Sequence, residues 1–267
     1  MHRHRIKKWK NMVRIFALLA LVALEWHFIA APVEAIQKES QAEKEANLKG
    51  QAEGGLFNRW TFDKDQPNGK PPGFSELSLG NDSVSAWIIQ PDGEAPSAPN
   101  ILRIDSSCQG SSCFQLLVAD KLQYEYPDVS VRLRFPSEGH VGDGGIVIAL
   151  QDAKNFYAVV VDLASKKLET LRVLDGQTTV LGEAGFTPKA VNWHSLRVQR
   201  DTIISKDVIN AYFDGVHILS VRDQTLAWGQ VGLVVKGKSS LLFDSLHAIP
   251  LFTQRPFSDP APYAPSK

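Results

Sequence analysis

Two Asp-Gly dipeptides constrain this chain more than any other feature. Asp175-Gly176 separates LETLRVL from QTTVLG, and Asp214-Gly215 separates VINAYF from VHILSV. Asp-Gly between alternating apolar runs supplies the two positive-φ positions of a type I′ turn, whose twist matches that of the flanking strands. Each pair therefore predicts a tight β-hairpin. The stretch GGIVIALQDAKNFYAVVVDL, residues 144–163, predicts a third, turning through Asp152-Ala153-Lys154-Asn155. Further strand-like runs lie at 57–62, 84–89, 101–105, 114–118, 129–135, 193–200, 230–235 and 241–248. Past the amino-terminal apolar run, no stretch combines a helical period with caps. Many short strands and no helix predict an all-β chain, a sandwich or a barrel.

The chain's ends read differently. Arg3, Arg5, Lys7, Lys8, Lys10 and Arg14 form a basic leader, Ile15 to Leu24 is an uninterrupted apolar run, and Val33-Glu34-Ala35 offers small residues for cleavage. The run is half the roughly 20 residues a bilayer span needs, and Glu25 and His27 interrupt its extension. Residues 1–35 are therefore expected to be a cleaved signal peptide, leaving a secreted or periplasmic protein with no stable membrane anchor. Residues 36–55 are charged, small or amide residues ending in Gly54-Gly55 and predict a solvated tether. Residues 250–267 carry five prolines without periodicity and predict a tail. The 194 residues from 56 to 249 are enough for one sizeable core.

Cleavage removes six basic and two acidic residues from a balance of 29 and 29, so the mature chain carries 23 and 27, a formal charge of −4. With no Lys/Arg cluster there is no electrostatic footprint for nucleic acid. Cys108 and Cys113, the only cysteines, are expected to form a structural disulfide across a short turn in an oxidising compartment. Their spacing suits neither a haem-attachment site nor a redox pair, both of which place two residues between the cysteines.

The third hairpin raises the question of faces. If Gln151 opposes Phe156, then Ile146, Ile148, Leu150, Tyr157, Val159, Val161 and Leu163 share a core face. The other face carries Gly145, Val147, Ala149, Gln151, Phe156, Ala158, Val160 and Asp162, whose small side chains predict either a thin covering by a loop or the floor of a groove. In 129–135 the apolar Val129, Val131, Leu133 and Phe135 alternate with Ser130, Arg132 and Arg134. Were these strands in one sheet, its outer face would present Arg132, Arg134, Gln151, Asp162 and Arg172 as ligand-binding residues.

The succession VSVRLRF, GGIVIALQDAKNFYAVVVDL, LETLRVLDGQTTVL, NWHSLRVQ, INAYFDGVHILSV and WGQVGLVVKGKSSLLFDSLHA resembles the concanavalin A-like, laminin-G-like jelly-roll modules grouped with bacterial 3-keto-disaccharide hydrolase domains. The likeness spans about residues 56–249. Its motifs are Gly144-Gly145, Asn155-Phe156-Tyr157, Trp193 ahead of a Leu-Arg-Val strand, Phe213-Asp214-Gly215, Gly229 to Gly232, and Phe243-Asp244. The resemblance implies a two-sheet antiparallel jelly-roll β-sandwich, with a concave sheet that meets carbohydrate in some relatives. It carries no catalytic residue onto this chain, and the region 105–128 departs from the pattern.

The residues offer little for catalysis. Jelly-roll glucanases use Glu-x-Asp-x-Glu on one strand face, since retaining cleavage needs two carboxylates about 5 Å apart, and the motif is missing. Glu125-Tyr126-Pro127-Asp128 reads as a solvated turn, with Tyr124 and Tyr126 exposed beside it. His140, His194, His217 and His247 stand alone, without partners at metal-ligand spacing. No cofactor is expected; calcium at Asp63, Asp65 and Asp244 is the alternative, though it needs six or more oxygen ligands. Trp60, Trp87, Trp193 and Trp228 read as core residues before sugar platforms. Three functions remain open: a module binding carbohydrate or a related polyhydroxylated ligand, a hydrolase of 3-keto-glycosides, and a structural or protein-interaction domain of the cell envelope.

Overall fold

The computed structural model describes residues 58–80, 86–110, 112–136, 142–203 and 206–251. The expected leader and tether, His140 and the tail beyond Leu251 lie outside the described residues. Within them the chain forms β1 (Asn58–Trp60), β2 (Phe74–Leu79), β3 (Trp87–Pro91), β4 (Asn100–Ser107), β5 (Phe114–Tyr124), β6 (Pro127–Arg134), β7 (Asp143–Asp152), β8 (Asn155–Asp162), β9 (Lys167–Leu174), β10 (Gln177–Gly185), β11 (His194–Ile203), β12 (Lys206–Phe213), β13 (Val216–Arg222), β14 (Gly229–Lys236) and β15 (Lys238–Pro250). No described residue is helical.

The strands make two antiparallel sheets. Sheet A runs β13-β12-β11-β6-β15-β4-β3, with β1 added to β15; sheet B runs β10-β9-β8-β7-β14-β5-β2. They face each other across a core in which Trp87, Val131, Leu196 and Phe243 of sheet A meet Ile148, Tyr157, Val159 and Leu233 of sheet B. The architecture is the expected jelly-roll sandwich. The Cys108–Cys113 disulfide is present, with both cysteines buried and their Cα atoms 5.9 Å apart. Because β4 lies in sheet A and β5 in sheet B, the bridge closes a crossover between sheets.

Both Asp-Gly turns hold as predicted, with φ of 51° and 79° at Asp175 and Gly176 and 50° and 79° at Asp214 and Gly215. The third hairpin differs. Asp152 pairs with Asn155 around a two-residue turn, but Ile148 already opposes Tyr157, so a bulge absorbs the difference. Ala149 takes a φ of 50° there, and glycine at 229 leaves room for β14 against the Ala149–Leu150 backbone. The consequence is a side-chain swap: Ala149 points into the inter-sheet core, while Leu150 joins the opposite face.

That opposite face is no groove floor. Val147, Leu150, Phe156, Ala158 and Val160 are buried with Phe114, Leu116, Val118, Leu171, Val173 and Val234 in a second apolar cluster. Phe114 of β5 and Phe156 of β8, three strands apart in the sheet order, bring their rings within 5.5 Å. A methyl carbon of Leu79, on edge strand β2, stands 3.6 Å from where a Cβ on Gly176 would lie, at the far edge. Sheet B is thus curled tightly enough for distant strands to meet over its outer surface.

Two smaller expectations also fail. Tyr124 is buried, its hydroxyl accepting a 2.8 Å hydrogen bond from Asn58. Asp128 is the second residue of β6 rather than part of a solvated turn and is buried against Arg197 and Gln199.

Candidate functional site

The outer face of sheet A is built by strict alternation. In β6 the side chains of Val129, Val131 and Leu133 enter the core, which leaves Ser130, Arg132 and Arg134 outside. Register then sets their neighbours. Arg132 lies between Ser195 of β11 and Asp244 of β15, while Ser130 lies between Arg197 and His247, and His247 pairs with Arg59 of β1. A bulge between Asp244 and His247, with Ser245 at a φ of 51°, shifts β15 at this point.

A cavity of about 390 Å³ opens over these strands, walled on one side by Pro96. Its polar lining comes from Arg59, Arg132, His247 and the hydroxyls of Ser130, Ser195 and Ser245. Behind it, Asp244 is buried. Its carboxylate accepts backbone N–H groups from Ser97, at 2.6 Å, and from Ser245. Burial pushes this carboxyl up to about 6, with the charge of Asp63 adding to the rise and the backbone hydrogen bonds opposing it. Burial and the adjacent Arg59 guanidinium hold the His247 imidazole below its ordinary value.

The residues expected to share one site do not. Arg132 and Arg134 are on sheet A, whereas Gln151, Asp162 and Arg172 are on sheet B. Gln151 is exposed at the tip of the β7–β8 hairpin. Asp162 caps the β8–β9 turn, accepting N–H groups from Ala164 and Ser165. Arg172 is half-buried and committed to Asp223 at 2.7 Å and Thr225 at 2.9 Å. Arg134 is held by Asp92 and Glu94 and lies 4.8 Å over the Trp193 ring. Of the five, only Arg132 lines the cavity.

Arg59, Ser130, Ser195, Ser245 and His247 were not singled out as a group, because β1, β6, β11 and β15 are far apart in sequence. Only the outward parity of Ser130 beside Arg132 was a readable signal. His194, which stood without a partner in sequence, is buried on the Phe213 ring and bonded at 2.8 Å to Asp214 of the predicted turn. Asp63 and Asp244 are linked through Ser97, whose hydroxyl reaches Asp63 at 2.6 Å. Among the described residues no three His, Cys, Asp or Glu side chains are disposed to hold a metal ion. Of the tryptophans, Trp87 is core, while Trp60, Trp193 and Trp228 are half-buried.

A second groove, of about 610 Å³, lies between β10 and β13 and is lined largely by Leu181, Val208, Leu219 and Val221. It offers mainly apolar contact. The Arg59–Arg132–His247 cavity instead combines charged forks, an imidazole and hydroxyls, a set suited to ligands rich in hydroxyl or oxyacid groups.

No family profile matches this sequence, and no curated protein matches it. Solved structures do. Carbohydrate-binding module CBM66 from Bacillus subtilis superposes with a TM-score of 0.52 at 16% identity, over 66% of this chain and 95% of that one. A galectin-like protein of unknown function from Bacillus subtilis gives 0.47 at 9%, over 72% and 98%. The GH43 protein BlXynB from Bacillus licheniformis gives 0.42 at 14%, over 68% of this chain and 40% of that one. At these identities the likeness is one of fold.

Proposed function

We propose that this chain is an exported carbohydrate-binding β-sandwich module whose ligand sits in the Arg59–Arg132–His247 cavity on sheet A. The observation that carries the reading is the convergence of two guanidinium groups, an imidazole and three serine hydroxyls in one open cavity. Ring hydroxyls both donate and accept, and this lining answers them from both sides. The fold likeness to a carbohydrate-binding module supports the ligand class by analogy.

A glycan array probed with the purified protein tests the reading. Arg132→Ala should abolish or strongly weaken the signal, and Gln151→Ala, at the exposed hairpin tip, should leave it intact. The reverse pattern would return the site to the hairpin, and an array with no signal would remove the carbohydrate reading. Export is tested separately: amino-terminal sequencing of protein recovered from the envelope or medium should begin near Ile36, and an intact Met1 retained in membrane would reverse that expectation.

A further inference from the structure

The arginines on the outer face of sheet A fall into two groups. Arg103 is bonded to Asp105 at 2.8 Å, Arg134 to Asp92, and Arg197 to Asp128 through two parallel hydrogen bonds. The guanidinium groups of Arg59 and Arg132 form no ion pair or hydrogen bond with any described residue. The nearest carboxylate in register to Arg132 is Asp244, and its oxygens are taken by the N–H groups of Ser97 and Ser245. Asp63 is taken by Ser97 and Asn100, and Asp128 by Arg197 and Gln199.

We infer that the saccharide bound in this cavity is acidic, with a carboxylate or sulfate clamped by Arg59 and Arg132; the inference rests on the carbohydrate reading above. A guanidinium presents a planar fork of donors that matches an oxyacid, and two uncompensated forks lining one small cavity create a positive field that neutral hydroxyls do not need. Burial, and after it the Arg59 guanidinium, holds the His247 imidazole below its ordinary value, the direction a positive field in the cavity imposes. The chain as a whole balances 29 basic against 29 acidic residues, so its net charge gives no general attraction for polyanions. The hydroxyls of Ser130, Ser195 and Ser245 supply the second half of the recognition, because a bare anion would use the forks alone, whereas an acidic sugar also brings ring hydroxyls to the serines.

Calorimetry on the full chain with three matched glycan sets, uronate-bearing, sulfated and neutral, tests this. At least one acidic set should bind tenfold or more tightly than the neutral set and weaken as salt is raised. Arg132→Ala and Arg59→Ala should each weaken the acidic set at least tenfold and by a clearly larger factor than they weaken the neutral set. Arg132→Lys keeps the charge but loses the fork, so it should fall between wild type and Arg132→Ala; thermal melting confirms that each variant folds. Preference for uronate over sulfate, or the reverse, names the acidic group. Equal binding of neutral and acidic sets, both weakened alike by Arg132→Ala, would overturn the inference and leave the carbohydrate reading standing; binding that Arg132→Ala leaves unchanged would overturn the inference and move the carbohydrate site out of this cavity. Binding to none of the three sets would overturn both.

Discussion

The outer faces of the two sheets are written in the same two-residue period and end in opposite states. On sheet A the outward positions of β6 and β11 are Ser130, Arg132, Arg134, Ser195 and Arg197, and the surface stays polar with a cavity in it. On sheet B the corresponding positions of β7 and β8 are Val147, Phe156, Ala158 and Val160, all buried in a second apolar cluster. A strand apolar on both faces is a strand buried on both faces. Ala158 does not leave a groove above the sheet; it is buried in the same cluster in which Phe114 and Phe156 touch. Smallness in a strand therefore has two structural outcomes, and the number of large apolar neighbours on the same face separates them.

The largest effect that should distinguish the faces is that of a buried charge. Ala158→Asp should unfold the domain, because an unpaired carboxylate inside the second cluster costs several kcal/mol, whereas Ser130→Asp should change stability by no more than about 0.5 kcal/mol. Denaturant melts of the two variants compare them directly; a tolerated Ala158→Asp would mean that face is open after all. Next in size, Phe156→Ala should cost about 3 kcal/mol by leaving a cavity beneath Phe114, a loss expected of a core aromatic and not of a surface one. Equilibrium unfolding in urea gives the value.

Replacing Cys108 and Cys113 together with Ser should cost roughly 2 kcal/mol, the loop-entropy value for so short a closure. The bridge lies at the crossover between sheets and away from the sheet A cavity, so glycan binding should survive; a reducing-agent titration of the wild type is the matching check.

A further effect concerns pH. Asp244 has a folded-state pKa of about 6, raised above the ordinary carboxylate value by burial, so the folded state holds its proton more tightly than the unfolded chain does. Its contribution is fully present below the unfolded pKa and is lost as pH rises through about 6. Thermal melts of the wild type from pH 4 to 8 should therefore show a decline through that window that Asp244→Asn lacks.

How much of this was legible before folding varies by element. The Asp175-Gly176 and Asp214-Gly215 hairpins were readable because their turns are local, needing only residues willing to take positive φ. The core face of the third hairpin was mostly readable from parity: Ile146, Ile148, Tyr157, Val159 and Val161 are all in the main core. The Ala149–Leu150 swap was not, since its bulge depends on the approach of β14 at Gly229, about 80 residues onward in the chain. Arg200 shows the same limit. It occupies an inward position in β11 and is fully buried, with Asp207 at 2.6 Å and the Ala227 carbonyl at 2.8 Å as compensation that no local pattern displays.

The candidate site lies at the far end of that range. Arg132 could be picked out by its outward parity on an alternating strand, but the grouping around it could not, because Arg59, Ser195 and His247 reach it only through strand order. The sequence by itself determined two of the turns, the all-β class and most of the strands, though not β2 at Phe74–Leu79, for these depend on backbone preference and two-residue periodicity over a few residues. Which strands share a sheet, which outer face curls shut and which arginines remain without a carboxylate were decided by the tertiary structure. Those outcomes depend on pairings between segments distant in the chain, and a two-residue period says which side chains share a face without saying what that face will meet.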